Sequence, residues 1–430
     1  MADLLISGVT LPSGERTDLG IRAGLLADPA DLTTPRVIDA EGLVALPGLV
    51  DLHTHLREPS PEPAETVVTG TAAAARGGFT AVFAMANTDP VTDTADKVRH
   101  LRTLAETASA QVFPVGAVTR GLEGTDLADI EAMHALGVTY FSDDGRCVMD
   151  AGLMREALMR VGAFGGVIGQ HSQDHNLAGT LACLPVGSAD ERGFAEAEPT
   201  DWPQVAEAVI VARDVQLAKD TGAHVHICHV STAESLEIIA WAKARGIPVT
   251  AEVTPHHLLL DSELTTLEDP LFKVNPPLRG LGDRLALRQA LADGIIDIVA
   301  TDHAPHLPSD KAKPFPQARP GMVGLEWALA VVIDTMVTTD MLTWAGVAER
   351  MSHAPARIGQ IEHHQGRPLA IGGPATLTLV NPERRREVDP EESLSRGRNN
   401  PYEGLWLPDP VEATFLAGRP TYVRNPDWPA

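Results

Sequence analysis

The sequence predicts an α/β protein: a (β/α)8 barrel of the TIM type, carrying a small flanking β domain formed by both termini. Three observations predict it. Between residue 51 and about residue 301, short apolar stretches alternate with helical stretches every few tens of residues. That is the pattern of a parallel sheet with helical crossovers. About eight such units fit the length, enough to close a barrel. Polar residues gather where the apolar stretches end, the face on which barrels place their sites. A doubly wound open sheet is the alternative, and this gathering favours the barrel. The chain then divides into 1–50, the first part of the small β domain, 51–365, the barrel, and 366–430, the rest of the β domain.

Residues 1–50 hold short apolar stretches between turn residues: Leu4-Leu5-Ile6-Ser7-Gly8, Leu19-Gly20-Ile21-Arg22 and Arg36-Val37-Ile38-Asp39-Ala40. These read as short strands, not βα units. An apolar run over 43–49 leads into Val50-Asp51-Leu52-His53-Thr54-His55-Leu56-Arg57, the end of a buried strand. Residues 66–76 read as an Ala-rich helix closed by Gly77-Gly78. Strands at 80–85, 111–118, 140–144, 166–171, 224–229, 249–253 and 295–301 then alternate with helices at 96–107, 126–136, 153–161, 205–220, 233–245 and 284–291. From about Arg367 the pattern returns to β, with strands at 376–380, 411–416 and 421–423 that pair with the N-terminal ones. The stretches 59–63, 180–199 and 307–320 are rich in Pro, Gly and charge and read as loops. The first and last follow strand ends with candidate chemistry, as lids do.

Composition narrows the function. With 44% hydrophobic and 21% charged residues, the chain is an ordinary globular protein. A formal net charge of −24 disfavours nucleic acid and anionic membranes as partners. An anionic substrate would need a local cluster of cations. Cys147, Cys183 and Cys228 are widely spaced, which argues for a reducing compartment. Met1-Ala2-Asp3 begins no basic and apolar leader, and no apolar run spans a bilayer, so a cytoplasmic protein is expected.

The chemistry starts at His53 and His55. Side chains two apart in a strand point the same way, so both imidazoles can hold one ion, with Arg57 beside it on the same face. Further donors end other strands: an acid in Phe141-Ser142-Asp143-Asp144-Gly145, His171, His229 and Asp302. Singly, an acidic pair also suits a helix N-cap and a lone histidine a satisfied core position. His224 and His226 show that not every histidine here is a ligand. Together the set places six N or O donors at five strand ends on one face. Imidazole and carboxylate without thiolate suit zinc or a similar divalent ion. Six donors exceed one tetrahedral ion and fit two sharing a bridge, an arrangement that acidifies water and polarises a carbonyl. Asp302 is the natural proton acceptor.

These motifs resemble the amidohydrolase superfamily and, within it, the bacterial type I dihydroorotase family. The resemblance rests on Asp51 to Pro59, Ala86-Asn87-Thr88, Asp143-Asp144-Gly145, His226 to Thr232, Glu252 to Leu258, Lys273 to Arg279, Ala300 to His306 and Gly324-Leu325-Glu326, in order over nearly the whole chain. It implies that His53 and His55 hold a first metal and Asp144 bridges to a second, Asp144 being preferred to Asp143 by its spacing to His171. It implies that His171 and His229 hold the second metal, and that Asp302 is the first metal's remaining ligand and the catalytic base. Two Zn2+ per subunit are expected. His55, Arg57, Asn87 and His306 are expected at the substrate, with Arg57, Asn87 and His306 clamping its α-carboxylate through a planar guanidinium and its neighbours. Asn275 would bind the ring amide. Where the family has Phe-Gly, this chain has Pro320-Gly321, so a contact there must come from the Gly321 N–H or from a carbonyl. Ser172 stands where many relatives carry Cys.

The implied activity is zinc-dependent, reversible cyclisation of N-carbamoyl-L-aspartate to L-dihydroorotate in pyrimidine synthesis. The implied associations are the small-molecule substrate, a homodimer and a complex with aspartate carbamoyltransferase. One alternative is another cyclic amidase acting on hydantoin or allantoin. Hydantoinases and another dihydroorotase type bridge their metals with a carboxylated lysine, and residues 140–145 contain none. The other alternative is a non-catalytic dihydroorotase-like partner of aspartate carbamoyltransferase, a kind of protein expected to lack the metal donors.

Overall fold

The computed structural model describes residues 3–61, 64–179, 202–265 and 269–428. The expected loop over 180–199 lies outside them, as do Glu62 and Pro63 of the loop over 59–63. Eight parallel strands form the barrel: β1 (Leu49–Thr54), β2 (Phe79–Ala84), β3 (Gln111–Pro114), β4 (Tyr140–Ser142), β5 (Val167–Gln170), β6 (His224–Ile227), β7 (Val249–Val253) and β8 (Ile298–Val299). β1–β2–β3 and β4 through β8 pair as two parallel runs. Parallel bridges at Gly116–Phe141 and Thr54–His303 close the two seams. There the Gly116 N–H donates to Tyr140 O at 3.1 Å and the His55 N–H to His303 O at 2.9 Å.

The interior is filled by Val50, Leu52, Phe83, Val115, Tyr140, Val167, Ile298 and Ala300. Phe83 stacks on Phe113 and meets Tyr140 edge-on. Ala354, Ala356, Ile358 and Ile361 plug the end away from the site, where Thr139 Oγ1 donates to Gly359 O at 2.9 Å. Three crossover helices start where a side chain satisfies a first free N–H group. Thr66 caps Val67–Arg76, Asp150 caps Ala151–Gly162 and Thr232 caps Ala233–Lys243.

Differences from the sequence reading include two stretches of the barrel. The helix expected over 126–136 is only Ile130–His134. Residues 126–128 instead pair with 118–120, Arg120 N–H donating to Asp126 O and Ala128 N–H to Val118 O, both at 2.9 Å. After β8, Ala328–Val332, Trp344–Ala348 and Ala354–Ile358 are helical, joined by π-helical turns. Ala328 to Val332 is buried on every face, so no amphipathic period marks it.

The second sheet joins Leu4–Thr10, Arg16–Arg22, Leu25–Ala27, Arg36–Asp39 and Val44–Pro47 to Leu377–Val380, Val411–Leu416 and Arg419–Val423. Val44–Pro47 lies antiparallel to Leu377–Val380, Val44 opposite Val380. Gly48 alone separates this sheet from β1, and a Cβ there would sit 2.2 Å from Thr80 Oγ1. The strand that carries His53 therefore enters the barrel directly from the joint between the two termini.

Candidate metal centre and active site

All the expected donors meet at the C-terminal mouth of the barrel. His53 Nε2, His171 Nδ1 and His229 Nε2 lie 3.2, 3.5 and 3.4 Å from Asp144 Oδ1. His55 Nε2 lies 3.3 Å from Asp144 Oδ2 and 3.0 Å from Asp302 Oδ1. One carboxylate is thus ringed by four imidazoles, with Asp302 closing one side. His53 Nε2 and Asp144 Oδ1 are buried without a hydrogen-bond partner among the described residues, an arrangement that is costly unless something completes it. The outward nitrogens are held. His53 Nδ1 lies 2.6 Å from Glu252 Oε1, His55 Nδ1 2.9 Å from Asn87 Oδ1, and His171 Nε2 2.7 Å from Gln173 Oε1. Imidazoles whose outer N–H is bound elsewhere turn their free lone pairs inward, as metal ligands do. The residues fit a metal centre.

Two groupings of ligand-capable atoms, His53–His55–Asp302 and His53–Asp144–His229, overlap at His53. A third, His53–Cys228–Glu252, is not a metal site on chemical grounds. Glu252 already accepts the His53 proton, and burial pushes the Cys228 thiol up to about 12, so it stays protonated.

The acidic pair has divided labour. Asp143 Oδ1 accepts the Val118 and Thr119 N–H groups at 2.8 and 2.9 Å, and its other oxygen accepts the Thr119 hydroxyl. Asp143 braces a loop, and Asp144 occupies the centre. Burial opposes ionisation of Asp144 and Asp302, but the surrounding histidines hold both well below the usual carboxylate range. Arg57, His229 and Asp302 have φ of +57°, +33° and +44°, left-handed values that cost side-chain-bearing residues free energy and cluster at functional sites.

On the rim, Arg57 donates through Nε to Pro305 O at 3.2 Å, leaving its two terminal nitrogens without a partner among the described residues. Asn87 Nδ2 donates to the Asp144 carbonyl at 3.2 Å. His306 Nε2 donates to Pro320 O at 2.8 Å; burial and the Arg57 charge push its pKa well below the usual value, so the ring is neutral. The Gly321 N–H is engaged with Lys273 O at 2.9 Å, so it is not free for a ligand in this structure. A Cβ at Gly321, φ +143°, would lie 2.7 Å from His306 Nε2. Asn275 Nδ2 donates to Gln173 Oε1 at 2.8 Å.

Sequence reasoning did not assign Glu252, Gln173 or Asn399. Glu252 is fully buried and accepts from His53, from His226 Nε2 at 3.1 Å and from the His229 N–H at 3.2 Å. The signal was an acid inside the apolar run of β7. Asn399 accepts the His306 N–H at 3.0 Å and donates to Ala304 O and Gly321 O at 2.9 and 3.0 Å. His226, the histidine that sequence left without a role, is also bound to Thr250 Oγ1 at 2.8 Å.

A closed barrel with a carboxylate ringed by imidazoles at its mouth defines the class: a metal-dependent amidohydrolase scaffold. Residues 42–235 match the family model described as dihydro-orotase-like. The chain is 54% identical to a dihydroorotase of Streptomyces coelicolor, covering 98% of this chain and 99% of that one. It is 49% identical to a dihydroorotase of Mycobacterium tuberculosis, covering 97% and 98%. The fold is that of the L-hydantoinase (dihydropyrimidinase) from Arthrobacter aurescens, with TM-score 0.87 at 24% identity over 99% and 97% of the two chains. The dihydropyrimidinase from Brevibacillus agri gives TM-score 0.85 at 23% identity over 99% and 96%. The chain belongs to the dihydroorotase family.

Proposed function

We propose that this protein catalyses the reversible cyclisation of N-carbamoyl-L-aspartate to L-dihydroorotate, with two zinc ions as cofactor. The observation that carries the proposal is Asp144 amid His53, His55, His171 and His229, with Asp302 3.0 Å from His55 Nε2. His53, His55 and Asp302 would hold one ion, His171 and His229 the other, and Asp144 would join both. When bound, the ions supply Lewis-acid polarisation of a carbonyl and make the attacking water more acidic. In the hydrolytic direction, water adds to the ring amide carbon and the C–N bond breaks. Asp302 takes the water's proton and returns it to the leaving nitrogen. Its depressed pKa keeps it ionised to receive that proton. The free terminal nitrogens of Arg57 suit the substrate α-carboxylate bidentately, with Asn87 and neutral His306 beside it. Asp144 would take the role that a modified lysine has in hydantoinases, which favours dihydroorotate over hydantoin.

The test is to assay zinc-loaded protein for dihydroorotate hydrolysis, then repeat after chelation and with Asp302→Ala. Activity should vanish on chelation, return with zinc and be absent in the variant. A loaded wild type that ignores dihydroorotate, or turns over hydantoin or allantoin in preference, overturns the proposal.

A further inference from the structure

We infer that Gln173 is a positioning residue that fixes a metal-facing imidazole and the substrate-facing Asn275 amide through one shared acceptor atom. The inference rests on the proposed function and names a residue which that proposal does not use. Gln173 is 5% exposed. Its Oε1 receives His171 Nε2 at 2.7 Å and Asn275 Nδ2 at 2.8 Å. Asn275 Nδ2 also stands 3.2 Å from His171 Nε2, so the amide oxygen of Gln173 serves both groups from one position.

Each bond has a chemical consequence. A neutral imidazole carries one proton, and the partner of one ring nitrogen decides where it sits. With Nε2–H bound to Gln173, His171 Nδ1 is the lone-pair nitrogen, 3.5 Å from Asp144 Oδ1 and 2.9 Å from His229 Nε2. Were the proton on Nδ1 instead, it would fill the space an ion requires. Asn275, having given its N–H to Gln173, keeps Oδ1 as an acceptor. That polarity matches the ring N–H of a cyclic amide.

The other end of the centre uses a different acceptor. His53 Nδ1 meets the carboxylate of Glu252 at 2.6 Å, whereas His171 meets a neutral amide. A carboxylate raises ligand basicity, so the inference separates two substitutions at one site. Gln173→Met keeps length and removes the acceptor. Gln173→Glu keeps an acceptor for both donors and adds charge.

The experiment uses the zinc-loaded protein titrated with a chromophoric chelator, the visible spectrum of the cobalt-substituted protein, and kcat and KM for dihydroorotate. Gln173→Met should release zinc about 10–100-fold more readily than wild type, shift the cobalt spectrum and raise KM. Gln173→Glu should retain zinc at least as tightly as wild type and restore the spectrum. Wild-type zinc retention with an unchanged cobalt spectrum in Gln173→Met overturns the inference. So does a Gln173→Glu protein that loses zinc more readily than wild type, a result that decides the matter even where Gln173→Met fails to fold. A wild type inactive on dihydroorotate sinks the functional proposal alone, because the comparison of zinc release stands apart from turnover.

Discussion

Three of the imidazoles around Asp144, those of His53, His55 and His171, are each held from behind by a different side chain, and the choice of that side chain sets what a substitution does. Glu252 is the charged case. Burial opposes its ionisation, but His53 and His226 outweigh burial and hold it at about 2. A carboxyl whose folded pKa is depressed stabilises the fold above its unfolded pKa and loses that contribution as pH falls through the folded one. The window here runs from about 4.5 down to about 2. Urea midpoints measured across that window should therefore fall more steeply in wild type than in Glu252→Gln. Equal slopes would show that Glu252 is not held this way. Loss of the charge behind His53 should also weaken zinc retention by about tenfold or more, read by chelator competition. Asp302→Asn keeps size and loses the basic oxygen, so kcat should drop by about 10²–10⁴-fold while the protein still folds. At this scale the inward-facing donors were legible in the sequence, because His-x-His and acids at strand ends follow the period of two. Gln173 and Asn399 were not, since nothing in a one-dimensional pattern says which distant polar residue will stand behind a ligand.

Two segments from outside the regular barrel units build the rim. Residues 393–400, between Arg385–Glu387 and Trp406–Pro408, bring Asn399 to His306 and Gly321, and Ser395 donates its hydroxyl to buried Glu65. Asn399→Leu removes three hydrogen bonds at the His306 loop, so KM for dihydroorotate should rise more than kcat falls, with zinc content unchanged. A loss confined to kcat would argue against a rim role. The 307–320 segment contains a short helix, Pro308–Lys311, within the stretch expected to be loop. It is pinned reciprocally: Lys311 Nζ donates to Pro270 O and Lys273 O, each at 3.0 Å, and Lys273 Nζ to Pro316 O at 2.9 Å. Burial and the Lys273 charge, against Asp269 and Asp310, lower Lys311 to about 7. A lysine depressed on folding destabilises the folded segment at low pH, and the penalty lifts as pH rises from that value towards 10.5. Hydrogen exchange of 307–320, corrected for intrinsic rate, should show more protection at pH 9 than at pH 6, and Lys311→Met should abolish the difference. The helix over 328–332 escaped sequence reading for a different reason: it is buried on every face, so the 3.6-residue period is absent.

At the scale of the whole molecule, the alternation of apolar strand and helix made the barrel legible, and β-type stretches at both ends made the second sheet legible. That the two ends pair was expected as well, but their register, Val44 opposite Val380, was not legible, because it is set between positions more than 300 residues apart. The barrel's apolar interior, from Val50 to Ala300 in sequence, does not include the ring of donors at its mouth, so architecture and metal centre should respond separately to metal removal. Without ions, His53 Nε2 and Asp144 Oδ1 remain buried and without a partner among the described residues, and the free energy of binding is lost from folding. For an ion present at a thousand times its Kd, that loss is about 4 kcal/mol. Chelation should therefore lower Tm by several degrees while far-UV circular dichroism at 25 °C, the reference temperature for that energy, stays native. Zinc should restore Tm, and Asp144→Asn should remove most of the zinc-dependent increment because one oxygen of the shared carboxylate becomes a donor. An unchanged Tm after verified zinc loss would show that the folded barrel holds its ion-free donors without penalty, contrary to the burial of two orphaned polar atoms at its mouth.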